Sequence, residues 1–462
     1  MKLFLFVFLC ILYTYGYCGS DVHIGYRVIL AVPMSYSRNF TGRAFLMETA
    51  QMAPKFRAAL SVEAVEQKYS CSLDVFLGDV KVWSSGHLSK FYTTEKCVIQ
   101  LTRDGDLQLT GQKDSVGWRS GTSGQGVERL HLLRTGNLVL VDGLNLIKWQ
   151  SFNFPTDIML WGQRLSSETR LTSFPSNSSL FYSFEIQHDK IALYLNSGKR
   201  KYSYWEYKPS KDRNLTFVEL ASKGIELYSD KHSRIGQITS QRLEPLRFLA
   251  LGTNTGNLGL YYYSPDKGNF EASFQAINTT CDLPLACKPY GICTFSNACS
   301  CIRLITRGEG LNSDCDEGIS EGFCGRNQAD MLELQSVSSV LRGIPQGLNI
   351  SKKVCAGLCI EDCNCVAALY SSGTGDSSLQ ECFLYGMVRG LKQVNRGSGL
   401  SYMVKFPKET SKDHGKSSGL KKWVLVVVGV VDGLIILLVL GGIGYYVVQK
   451  RRRNTSDTRN PT

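Results

Sequence analysis

A three-fold internal repeat constrains this chain more than any other feature. Leu73-x-Val75, Leu107-x-Leu109 and Leu138-x-Leu140 each precede a tryptophan by 10 or 11 residues: Trp83, Trp118 and Trp149. Each tryptophan opens a Trp-x-Ser triplet, ending at Ser85, Ser120 and Ser151. Two units also carry Gly-Asp/Asn-Leu, at Gly105-Asp106-Leu107 and Gly136-Asn137-Leu138. Alternating apolar residues between turn signals suit short strands. One such unit cannot bury its tryptophan alone, whereas three stacked on a shared axis can. The repeat therefore predicts a three-fold β domain with tryptophans at its centre. Three matching offsets make a chance spacing of common residues a poor account.

The repeat ends in Trp149-Gln150-Ser151-Phe152-Asn153-Phe154-Pro155-Thr156-Asp157. That stretch resembles the Trp-Gln-Ser-Phe-x-x-Pro-Thr-Asp signature of plant G-type lectin (S-domain) receptor-like kinases. Residues 21–165 accordingly resemble the bulb-type mannose-binding lectin domain, a three-fold β-prism. Cys71 and Cys97 stand at positions similar to the bulb-lectin disulfide. The family holds mannose with Gln-x-Asp-x-Asn-x-Val-x-Tyr, once per unit. Here the matching positions are Lys68, Ser70, Ser72, Asp74 and Phe76; then Thr102, Asp104, Asp106, Gln108 and Thr110; then Leu133, Thr135, Asn137, Val139 and Val141. No unit is intact. The candidate ligand positions that remain in these degenerate sites are Asp104, Asp106, Asn137 and Val139. A site built to pair hydroxyls loses affinity steeply when donors or acceptors are missing. Weak or absent mannose binding is the expectation.

Residues 166–275 read as a second, divergent β domain. Gly256-Asn257-Leu258-Gly259-Leu260 repeats the strand signature, and Ile191–Leu195 alternates similarly. The resemblance implies a second lectin-like (S-locus glycoprotein-like) unit; a generic β-sandwich is the alternative. Cysteine density then rises, with Cys281, Cys287, Cys293, Cys299, Cys301 and Cys315 closely spaced. Six cysteines allow about fifteen connectivities. Residues 276–318 resemble an EGF-like module, and Pro289-Tyr290-Gly291-Ile292-Cys293 matches the S-domain pattern there. The resemblance implies Cys281–Cys293, Cys287–Cys299 and Cys301–Cys315. Without Cys-x2-Cys or a nearby histidine, a zinc site is disfavoured. Asn278, Thr279 and Thr280 replace the acidic residues of calcium-binding modules, which disfavours calcium. Residues 320–406, with Cys355-x3-Cys359-x3-Cys363-x-Cys365 and Cys382, resemble a plant PAN/apple domain. That resemblance implies Cys355–Cys382 and Cys359–Cys365, leaving Cys324 and Cys363 as a third bridge.

The 462 residues suffice for several domains. The net charge of +12 raises the question of nucleic acid. Residues 405–422 contribute +4 and residues 449–462 another +4, so residues 21–404 carry only +4. No dense basic patch interleaved with aromatics is present, and a nucleic-acid partner is disfavoured. Lys2, the apolar run Leu3–Tyr13 and small residues near Cys18 read as a signal peptide over 1–20, which also holds Cys10. Residues 423–448 are apolar except for Asp432, long enough for a single transmembrane helix. Trp423, Tyr445 and Tyr446 suit its interfaces, and Lys450–Arg453 a cytosolic stop. A stalk over 407–421 and a cytosolic tail over 449–462 complete this type I topology. Sequons at Asn39, Asn177, Asn214, Asn278 and Asn349 precede the span, as glycosylation of an ectodomain requires; Asn454 follows it.

Catalytic signatures are missing from the sequence. The histidines form no His-Glu-x-x-His pattern, and no Gly-x-Ser-x-Gly elbow or kinase loop occurs. The expectation is a non-enzyme without cofactor or metal. Gly429 and Gly433 offer a small-residue face with Asp432 inside it, a candidate for pairing spans. A tolerated, partly protonated Asp432 is the alternative. The fold class expected is mainly β: tandem β-prism II lectin-like domains, an EGF-like module, a PAN/apple (α+β) domain and a transmembrane helix. The function expected is a non-catalytic receptor-like protein at the plasma membrane. It would bind an extracellular glycan, glycoprotein or partner receptor, pairing with a receptor-kinase co-receptor or with itself. A structural wall–membrane linker without signalling is the alternative.

Overall fold

The computed structural model describes residues 21–33, 40–51, 53–66, 68–175, 179–209, 214–230, 232–302, 315, 324–373, 379–408 and 440–445. The leader at 1–20, Asn39, Asn177, Gly429, Asp432, Gly433, Asn454 and the tail lie outside the described residues, as do nearly all of the stalk and most of the span. The chain divides into two units, residues 1–406 and 407–462. In the second unit residues 440–445 are helical. Among the described residues no helix is long and apolar enough to cross a membrane.

The three repeats of the first unit become three antiparallel sheets. One contains Asp21–His23, Val127–Leu132, Leu138–Asp142 and Ile147–Gln150. The next contains Arg27–Ala31, Lys96–Leu101, Leu107–Thr110 and Val116–Arg119. The last contains Thr41–Glu48, Phe56–Val65, Lys68–Leu77 and Val80–Ser84, with the short strand Phe91–Thr93 beside Lys68–Leu77. Alternation places Leu73, Val75, Leu107, Leu109, Leu138 and Leu140 in one core. Trp83, Trp118 and Trp149 meet edge to face there, with ring centroids 5.6 to 6.3 Å apart. Such aromatic pairs contribute ~0.5–1.5 kcal/mol each beyond the area they bury.

The turns before the second and third repeat strands need glycine. Gly105 and Gly136 have φ of +87° and +85°, and a Cβ on them would lie 2.9 Å from Val127 and 2.4 Å from Phe56. The first repeat has Cys71 in this place and no turn. Its strand runs unbroken over Lys68–Leu77, and Cys71 is bonded to Cys97 in the neighbouring sheet.

Three more four-stranded sheets follow, again antiparallel. Ile158–Leu160 joins Leu246–Leu251, Leu258–Ser264 and Asn269–Gln275. Arg164–Ser166 joins Leu215–Ala221, Gly224–Ser229 and Arg234–Thr239. Leu171–Ser173 joins Leu180–Ile186, Ile191–Ser197 and Arg200–Tyr207. The architecture is thus two successive three-sheet β domains. In the second, Tyr182 and Tyr204 meet edge to face at 6.2 Å, and their hydroxyls donate to the Asn254 and Gly256 carbonyls. The two domains pack together: Phe248 of the second domain belongs to the first domain's core cluster, and His87 Nε2 lies 2.8 Å from the Thr172 carbonyl.

The cysteine-rich remainder forms two sheets. Cys299–Cys301 and Gly291–Cys293 pair, and Gly291–Cys293 then runs parallel to Leu391–Gln393, which pairs with Val337–Ser339. The cysteine-dense segment is thereby hydrogen-bonded into the module that follows it. The five-stranded sheet holds Ala329–Leu334, Leu400–Pro407, Ala367–Ser371, Glu381–Tyr385 and Gly347–Leu348. A helix, Lys352–Glu361, buries Cys355 and Cys359 beside it; the Ser351 hydroxyl caps it by accepting from Val354 N. The disulfides here are Cys281–Cys293, Cys287–Cys299, Cys301–Cys315, Cys324–Cys363, Cys355–Cys382 and Cys359–Cys365. Lys405 is 3 % exposed. Its ammonium donates to the carbonyls of Cys359, Asp362 and Cys365 at 3.0, 2.8 and 3.0 Å, at the helix C-terminus. A bridge between Ser203 and Arg342 and stacking of Tyr202 on Tyr385 attach this module to the second β domain.

Candidate sugar grooves

The candidate positions lie where each repeat strand begins, and one bonding pattern recurs there. The serine of each Trp-x-Ser triplet accepts the backbone N–H of the repeat leucine: Ser85 from Leu73, Ser120 from Leu107 and Ser151 from Leu138, at 2.9, 3.0 and 2.9 Å. In the second and third units the residue before that leucine completes a lock. The Asp106 carboxylate accepts from Ser120 Oγ at 2.9 Å, Gly121 N at 2.8 Å, Thr122 N at 3.1 Å and Gln108 Nε2 at 3.0 Å. Asn137 Oδ1 accepts from Ser151 Oγ and Phe152 N at 3.2 Å each, while its Nδ2 donates to Gln150 Oε1 at 2.8 Å. Asp106 and Asn137 are buried.

These contacts decide what the two side chains are free to do. Burial opposes ionisation of Asp106, but the Gln108 and Ser120 side chains and the Thr122 and Gly121 amides outweigh it and hold the carboxyl below its ordinary value. Its acceptor capacity serves the turn that carries Trp118. Val139 is 1 % exposed and belongs to the interior. Asp104 is exposed at the turn; the Ser123 hydroxyl donates to it and, with the Thr102 hydroxyl, holds its carboxyl below the usual range. Asp104 thus differs from the other three candidates in facing solvent, and the structure does not gather the four into one groove.

The first unit carries a feature the sequence reading did not single out. Asp74 is fully buried, accepts from Ser84 Oγ at 2.7 Å and lies 3.2 Å from Lys81 Nζ. Lys81 also reaches Glu63 at 2.5 Å. Burial works against the charged Lys81, but Asp74 and Glu63 outweigh it and raise its pKa. The signal available was an Asp where the pattern has valine, which demands a cation partner. In the second domain Asn257 repeats the lock: its Nδ2 donates to the Ile277 carbonyl at 2.7 Å and its Oδ1 accepts from Ile277 N at 3.0 Å. Asn214, Asn278 and Asn349 are exposed. Among the described residues no cluster of His, Cys, Asp and Glu is arranged to hold a metal.

The family model for D-mannose binding lectin matches residues 81–179. A G-type lectin S-receptor-like serine/threonine-protein kinase of Arabidopsis thaliana is 26% identical over 396 residues, covering 80% of this chain and 46% of that protein. A PAN domain-containing protein of the same plant is 24% identical over 301 residues, covering 60% of this chain and 58% of the relative. An EP1-like glycoprotein, also from Arabidopsis thaliana, is 24% identical over 362 residues, covering 72% of this chain and 79% of its own length. The chain spans about half the length of the kinase it matches. With the three-fold tryptophan repeat and its serine locks, these matches show that the chain is similar to proteins of the G-type lectin S-domain family.

Proposed function

We propose that this is a non-catalytic, receptor-like protein of the plant cell surface that binds an extracellular glycan or glycoprotein. What carries the reading is the three-fold tryptophan repeat over a matching lectin family model, in a chain whose kinase relatives are named as lectin receptors. On this reading residues 276–318 are an EGF-like module and residues 320–406 a PAN domain. The leader at 1–20 directs secretion, 423–448 spans the membrane, and Asn39, Asn177, Asn214, Asn278 and Asn349 carry glycans. Signalling passes through a separate receptor kinase, with Gly429, Asp432 and Gly433 as the pairing face of the span. Simple mannose recognition at the repeat turns is not part of the proposal, because Asp106 and Asn137 already serve the fold.

Proximity labelling with the full-length chain in plant cells tests the reading. Enrichment of receptor kinases and glycoproteins supports it. Retention by wall polysaccharide with no receptor enriched would refute the signalling role and leave a wall–membrane linker. Replacing Gly429 by Ile together with Asp432 by Leu should abolish recovery of the partner; unchanged recovery removes the span from the proposal.

A further inference from the structure

We infer that the cleft between the two β domains is a binding site for a neutral di- or trisaccharide; the inference rests on the glycan-binding reading above. Strand ends and a turn of the first domain face a hairpin of the second across a cleft of 510 Å³. That lies within the ~300–1,000 Å³ typical of small-molecule sites. Glu48, Lys55, Arg57 and Asp79 line it from one side, Tyr263 and Phe270 from the other.

The lining carries two cations and two carboxylates, so its formal charge balances. It offers an ionic polymer little attraction, in contrast to a one-signed cleft. Each sugar hydroxyl is at once a donor and an acceptor, and adjacent ammonium, guanidinium and carboxylate groups match that duality. The charged groups pair with one another across the lining. Lys55 Nζ lies 3.0 Å from Glu48 Oε1. Arg57 Nη2 donates to the Gly78 carbonyl at 2.9 Å and lies 3.6 Å from Asp79 Oδ1, with its guanidinium 4.4 Å above the Phe45 ring. Arg57, held by a carbonyl and a ring, is preorganised, which lowers the ordering cost of binding.

The facing wall supplies the apolar part of a sugar contact. Tyr263 and Phe270 meet edge to face at 5.3 Å, and Phe270 packs on Phe248 of the core at 5.1 Å. The negative face of an aromatic ring suits the electropositive C–H face of a pyranose. Both domains contribute, so the site exists only when they are docked.

The test uses the purified full-length chain on an array of neutral manno-, xylo-, cello- and galacto-oligosaccharides of two to four sugars. Titration calorimetry with any hit then compares Asp79→Ala, Arg57→Met and Tyr263→Ala. The Asp79 side chain is fully exposed, so its removal leaves the fold intact. Each variant is expected to weaken binding at least about tenfold, or ~1.4 kcal/mol. Affinity unchanged in Asp79→Ala and Tyr263→Ala but lost in Asp104→Ala would overturn the cleft while leaving the glycan-binding reading intact. An array with no hit for the wild-type chain would also overturn it, and the labelling experiment would then judge the receptor reading independently.

Discussion

Replacing Asp106 tests whether these turns serve the fold. In Asp106→Ala, Ser120 Oγ, Gly121 N, Thr122 N and Gln108 Nε2 all lose their acceptor. A hydrogen bond to a charged group contributes ~1.5–3 kcal/mol, and a buried donor left unpaired costs ~1–3 kcal/mol. These terms overlap, so the expected loss is about 3–5 kcal/mol. Asp106→Asn should cost only about 1 kcal/mol. Its remaining oxygen still accepts from the turn, and Gln108 can rotate its amide to receive the new N–H. The protein contains its own control, since Asn137 makes this arrangement with Gln150, Ser151 and Phe152. Urea unfolding followed by tryptophan emission reports on this domain, because Trp83, Trp118 and Trp149 sit at its centre. The effect also has a pH signature. The folded carboxyl titrates below its ordinary value of 3.8, so its contribution is complete above that pH and is lost as pH falls through the folded value. Asp106→Asn should remove that acid-side slope. Equal stability of the Ala and Asn variants, or a loss under about 1 kcal/mol for Ala, would refute the lock.

Calorimetry with free mannose should detect no micromolar binding; a micromolar titration would show that the repeat turns recognise sugar after all. Lys405→Met should destabilise the C-terminal module by about 2–4 kcal/mol, by leaving the Cys359, Asp362 and Cys365 carbonyls without their cation. Faster limited proteolysis between residues 324 and 407 would register it, and wild-type resistance would count against it. Removing Cys355–Cys382, which are 27 residues apart, should cost about 3.5 kcal/mol by chain entropy. A thermal shift on the double Ser variant checks this, and an unchanged midpoint would contradict it.

The three-fold core was legible because its signal is periodic: three tryptophans at near-constant offset have one economical way to be buried together. The second domain was less legible because its centre uses Tyr182 and Tyr204, whose spacing repeats nothing in the first. Lys405 entered the sequence reading only as the first cation of the basic run 405–422, and its burial depends on carbonyls contributed some 40 residues earlier. No local pattern announces such a contact. The cleft was invisible for a related reason, since Arg57 and Tyr263 come together only through domain docking.

The grooves gave the least direct reading, and the cause is physical. An Asp or Asn at the start of a repeat strand has few lone pairs and protons to distribute. In the second unit the carboxylate of Asp106 is committed to four protein donors, and in the third the amide of Asn137 is committed through both of its atoms. A polar residue retained at a family position therefore signals either ligand or fold, and its residue type cannot separate the two. The bonded partner can. Ser120 and Ser151 stand 14 residues beyond Asp106 and Asn137, and each donates to the side chain at that distance. Where an Asn or Asp is bonded to a Trp-x-Ser serine and the Gln and Tyr of the family pattern are absent, the polar side chain serves the turn. On the glycan-binding reading proposed above, surfaces outside the turns, such as the docked face between the two domains, become the place to look for a ligand.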